Sequence, residues 1–203
     1  MLQRELQEKL FSEWAKVGFS NAAAAMSNFM SLPVVFSEPT IIFTDISNLI
    51  RFVNDHPGDP SVCLLQGVKG GLDGFFLFSA PPESVSSISK SIQSTIFDSS
   101  KLNLKEVVME QSIMNEWVNI FSGNLLSSIE SKNLDLLELT SAEQTYDMSG
   151  AAMDFIACQM AVDTDLVALS HTKLKIAVTG DVIDVWIVIN PNSKAFKSNY
   201  LNQ

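Results

Sequence analysis

The sequence predicts a chain of mixed α and β structure in which a unit of roughly 100 residues occurs twice. Three observations carry this reading. The phrase "SEWAKVGFSN" from Ser12 to Asn21 is echoed by "NEWVNIFSGN" from Asn115 to Asn124, with Glu13/Glu116, Trp14/Trp117 and Asn21/Asn124 identical at a constant offset of 103 residues. Helix-period and strand-period stretches are mixed in both halves. With 46% hydrophobic and 18% charged residues among 203, the chain also has ample material for a folded core.

Each element has its own signal. A long amphipathic stretch predicts a helix from about 3 to 30, and apolar runs predict strands near 40–45, 61–68 and 74–80. Pro81 and Pro82 followed by Glu83 mark the start of a helix over about 83–97, and "HPGDPS" is a loop. "GVKGGLDGFF" lacks the GK[ST] ending of a phosphate-binding loop and reads as a hairpin turn centred on Asp73 and Gly74. The second half predicts a helix over about 104–130, a strand near 134–140, a helix over about 147–161, and strands near 166–178 and 182–190. The repeats span about 3–100 and 104–190 with no linker between them, so one domain over 1–203 is expected, with a polar tail at 191–203 that frays.

Composition excludes several functions. Thirteen basic against 23 acidic side chains give a net charge of −10, the wrong sign for a general grip on nucleic acid. The apolar runs fall far short of the roughly 20 residues of a membrane helix, and "MLQRELQEKL" lacks a secretory apolar stretch, so a cytoplasmic location is expected. Cys63 and Cys158 are expected as buried thiols, and His56 and His171 are isolated, so no metal site is predicted.

On a helical wheel at about 100° per residue, Ile113, Met114, Trp117, Ile120, Phe121 and Leu125 share one broad face, and Ser112, Glu116, Asn119 and Gly123 line the other. The first helix divides the same way: Leu10, Phe11, Trp14 and Val17 fall on the expected buried side, and Lys9, Glu13, Lys16 and Ser20 on the exposed one. Judged by residue type alone, such a stripe is ordinarily a solvated face.

The stripe resembles more than that. Ser112, Glu116 and Asn119 match the pattern [DS]xxxExxN, which is similar to the active-site signature of the CheC/CheX/FliY phosphatases of bacterial chemotaxis, whose members commonly carry it twice. "GFSNAAAAMSNFM", "VKGGLDGFFLFSAPPES" and "YDMSGAAMDFIA" extend the resemblance over nearly the whole chain. The second copy has Ala142 where the family has Pro; the first keeps Glu13 and Pro39 but carries Lys9 and Lys16 in place of Asp/Ser and Asn. The resemblance implies a pseudo-twofold α+β fold of CheC type, with a mainly antiparallel sheet and the two signature helices side by side on one face.

It also implies an activity: hydrolysis of the aspartyl phosphate on a CheY-like response regulator, with Asn119 positioning the water and Glu116 binding a lysine of the docked regulator. Ser112 would be a contact at the rim. The Mg²⁺ would belong to the regulator, and the chain would carry no cofactor of its own. A CheD-like protein enters as a second partner. The first site, Glu13 with Lys16, is expected to be silent. An ammonium cannot accept a hydrogen bond, and Lys16 lies three residues from Glu13, within reach of an ion pair that would occupy that carboxylate. Direct contact of Lys16 with the phosphoryl group is the competing reading. Two functional classes stay open: an active response-regulator phosphatase, and a non-catalytic module that binds a regulator or a flagellar-switch component, since the middle domain of FliM shares this architecture.

Overall fold

The computed structural model describes residues 2–53, 59–96, 106–130 and 137–194. The 29-residue helix α1 (Leu2–Met30) leads into the strands β1 (Val34–Phe36) and β2 (Thr40–Asp45) and a short 3₁₀ segment (Ile46–Phe52). The hairpin β3 (Pro60–Lys69) and β4 (Gly74–Ala80) follows, then helix α2 (Pro82–Ile96). The second half begins with helix α3 (Glu106–Glu130) and continues through β5 (Glu138–Leu139), β6 (Glu143–Met148), helix α4 (Ser149–Met160), β7 (Leu166–Ile176) and β8 (Val182–Ile189).

The strands form one antiparallel sheet in the order β1-β7-β8-β4-β3-β5, with β2 also on β7 and β6 also on β3. The pairing makes the duplication explicit. Thr40 to Asp45 of β2 run against His171 to Leu166 of β7, and Glu143 to Met148 of β6 run against Leu65 to Pro60 of β3. Each half therefore lends its outer strands to the hairpin of the other, which gives the fold its pseudo-twofold form.

Side chains alternate across the sheet and meet helices on both faces. On one face α1, α2 and α3 cover Leu64, Phe76, Phe78, Val185 and Ile187; on the other, α4 and the 3₁₀ segment cover Cys63, Leu77, Trp186 and Val188. The helices α1 and α3 lie against each other. Trp117 stacks on Phe121 with ring centroids 5.6 Å apart, and Phe78 of β4 meets both edge-on. This packing anchors α3 to the sheet by its inner face and leaves the opposite stripe outward.

Several expectations are corrected. Val17 is 51% exposed, because the buried face of α1 centres on Phe11, Ala15, Gly18 and Ala22, which turns position 17 away. Cys158 is exposed, while Cys63 is buried as expected, and burial pushes its thiol pKa up. The strands β1 and β6 and the 3₁₀ segment were not predicted. Asp147, expected to start a helix, instead pairs with Ser61 in β6, and α4 begins at Ser149. The β3–β4 turn falls at Gly70 and Gly71, which hold φ values of 90° and 131°, before Asp73 and Gly74. His171 is built into the sheet, stacked on Trp186 at 4.9 Å and hydrogen-bonded to Asp184 at 2.8 Å. His56 and residues 97, 104–105, 134–136 and 195–203, which bear on the predicted element ends and the tail, lie outside the described residues, as does the first half of the "HPGDPS" loop, whose Pro60 and Ser61 open β3.

Gly74 is required by a close approach. A Cβ there would lie 2.1 Å from the Val188 carbonyl oxygen and 2.9 Å from Ile189 Cα, both backbone atoms of β8. Gly74→Ala must push two central strands apart and is expected to cost about 3 kcal/mol, read as a lowered denaturant midpoint; an unchanged midpoint would show that the β4–β8 contact is not tight.

Candidate functional site

The outward stripe of α3 places Ser112, Glu116, Asn119 and Gly123 in solvent. Glu116 and Asn119 are one turn apart on the same face of a helix whose other face is fixed by Trp117, Val118 and Phe121. Among the described residues Glu116 makes no ion pair, so its carboxylate is available to an incoming cation.

Asn119 is held from below. Gln66 of β3, only 1% exposed, donates from Nε2 to Asn119 Oδ1 at 2.9 Å and to the Thr140 carbonyl oxygen at 2.9 Å. Thr140 is itself fixed to β3: its N–H donates to the Gly67 carbonyl at 2.9 Å, and its Oγ1 accepts from the Gly67 N–H at 2.9 Å. Gln66 was not singled out from the sequence. The available signal was a lone amide in the apolar run "VCLLQGV", since a buried polar side chain must find partners.

The first copy is arranged differently. Lys9, Glu13, Lys16 and Ser20 are exposed along α1 as expected. Lys16, however, pairs with Glu38 at 2.6 Å and not with Glu13. The expected helix-surface pair is replaced by a bridge from α1 to the loop before the buried Pro39, because that loop brings a second carboxylate to the end of the lysine. Ala142 stands at the corresponding place in the second copy and packs on the core, half-buried.

No group of three or more His, Cys, Asp or Glu that could hold a metal occurs among the described residues. A cavity of about 430 Å³ opens between the β3–β4 turn and α4, lined by Lys69, Asp73, Glu143, Phe155 and Asp163 among others, and among the described residues none of α3 is in its wall. No described helix is long and apolar enough to cross a membrane.

No protein-family model matches the sequence, and no curated protein matches it significantly. Solved structures do match in fold. FliY of Thermotoga maritima aligns over 97% of each chain with a TM-score of 0.71 and 14% identity. The CheX–CheY–BeF3–Mg²⁺ complex of Borrelia burgdorferi aligns over 87% of this chain and 97% of that one, at 0.58 and 15%. The FliM–SpeE complex of H. pylori aligns over 97% of each, at 0.63 and 10%. At such identities the likeness is one of architecture, and it is clear: the chain has the CheC-like fold. The same fold is found in FliY, in the chemotaxis protein CheX and in the middle domain of FliM.

Proposed function

We propose that the protein is a phosphatase for response regulators of CheY type, acting in the cytoplasm through the second signature helix. The observation that carries this reading is the pairing of Glu116 and Asn119 on one exposed face of α3, with the amide of Asn119 fixed against the sheet. Hydrolysis of an aspartyl phosphate needs positioning of the attacking water and charge stabilisation more than covalent help from the catalyst. An amide positions water; a carboxylate one turn away binds the lysine of the regulator. The Mg²⁺ of the reaction is carried by the substrate, and a CheX–CheY complex with BeF3 and Mg²⁺ supports the same assignment here. Ser112 contributes at the rim of the docking surface, and the two repeats act as one domain.

The test is loss of phosphate from labelled, Mg²⁺-loaded response regulators of the same genome, with and without the protein. Acceleration of at least one of them is expected. Glu116→Ala should weaken binding to the phosphorylated regulator about tenfold, or ~1.4 kcal/mol, while the protein keeps its melting temperature; undiminished binding would remove Glu116 as the anchor.

The second reading is a binding module without catalysis. It is favoured by the closed Lys16–Glu38 pair of the first copy and by the likeness to FliM in complexes with SpeE and FliG. Binding to a regulator or a flagellar-switch component with no effect on phosphate loss would establish it.

A further inference from the structure

Gln66 occupies an unusual position for a glutamine. It lies in the middle of a strand covered on both faces, and its Oε1 is buried with no hydrogen-bond partner among the described residues. A buried amide left half-satisfied is costly, and such a cost calls for a specific reason. The two bonds of its Nε2 supply one. The Thr140 carbonyl can only accept, so the end of Gln66 that faces it must be the NH₂. That NH₂ also meets Asn119, so the carbonyl of Asn119 is turned toward the sheet. The donor end of Asn119 is thereby turned away from the sheet, and among the described residues it makes no hydrogen bond.

The duplication provides an internal control. Phe36 pairs with Leu174 in one half and Leu139 with Val68 in the other, so Thr172 stands where Gln66 stands. The surroundings match bond for bond. The Ser37 N–H donates to the Lys173 carbonyl at 2.9 Å and the Lys173 N–H to Ser37 Oγ at 3.0 Å, as Thr140 and Gly67 do in the other half. Thr172 Oγ1 donates to the Ser37 carbonyl at 2.6 Å, the counterpart of the bond from Gln66 to Thr140. A threonine is therefore enough to satisfy this backbone carbonyl. What glutamine adds is reach to the helix, and it appears only under the copy that carries an asparagine.

We infer that Gln66 is a positioning residue for the reaction at Asn119: it holds the side-chain amide with its NH₂ turned outward, toward the docked phosphoryl group, while its single bond leaves the second lone pair of Oδ1 to accept from the attacking water. This rests on the phosphatase reading of the site. A wrongly turned or rotating amide would offer its acceptor to an anionic group for part of the time, and the loss falls on turnover while docking through Glu116 is untouched.

The deciding variant is Gln66→Thr, which copies the arrangement at Thr172. On a regulator that the wild type dephosphorylates, turnover at saturating phosphorylated regulator should fall about ten- to a hundredfold, with the half-saturating concentration unchanged. In parallel, the ¹⁵N–¹H signals of the Asn119 side-chain amide should report an ordered group in the wild type and a mobile one in the variant. Wild-type turnover in Gln66→Thr, or an Asn119 amide equally ordered in both proteins, would overturn the inference. If the wild type accelerates no regulator, the phosphatase reading fails and the amide signals alone decide whether Gln66 orients Asn119. Should Gln66→Thr not fold, Gln66→Met, which keeps the volume and lacks the donor, is read against the same two outcomes.

Discussion

Asn119→Ala is expected to abolish stimulated dephosphorylation while leaving the protein folded. The side chain is exposed, and among the described residues its hydrogen bond is the one from Gln66, which keeps its second bond to Thr140. The stability cost is therefore about 1 kcal/mol, a shift of a few degrees in melting temperature. The catalytic cost is the whole acceleration, because the neighbouring amide on α3, that of Asn115, is half-buried with its Oδ1 enclosed and cannot replace it. A variant with the stability of the wild type and the same phosphatase activity would remove Asn119 from the mechanism.

The largest gain is expected in the first copy. Lys9→Ser and Lys16→Asn in an Asn119→Ala background recreate the signature on α1 beside Pro39, and breaking the pair with Glu38 costs less than roughly 1 kcal/mol because both groups are largely exposed. These changes alone should leave the copy silent, since Thr172 is too short to reach position 16. Adding Thr172→Gln supplies the missing hold and should make phosphate release measurable above the Asn119→Ala baseline. Activity without Thr172→Gln would show that an unheld asparagine suffices. Inactivity of the complete, folded set would place the asymmetry of the copies in the surrounding docking surface.

The signature stripes were legible because each lies on one helix, where spacing along the chain fixes neighbours in space. The same locality misdirected the partner of Lys16. Glu13 is close in sequence, but Glu38, brought in by the loop between β1 and β2, is the carboxylate that Lys16 reaches. Gln66 was out of range for a related reason: its bond to Asn119 joins a strand to a helix across 53 residues of chain. The long helices and the strands β3, β4, β7 and β8 announce themselves by apolar periodicity. In contrast, β6 reads "EQTYDM", with side chains that are exposed except for a half-buried Gln144, so it is held by backbone pairing to β3 and leaves little hydrophobic pattern to detect.

The exchange of outer strands between the halves has a kinetic consequence. During synthesis β1 and β2 emerge long before β7, the strand that takes up their hydrogen bonds, and the hairpin of β3 and β4 must likewise wait for β6. The first hundred residues thus leave the ribosome with unpaired strand edges and no local way to close them. Such non-local pairing predicts slow folding late in translation, and a nascent chain that depends on holding chaperones until the second half has emerged.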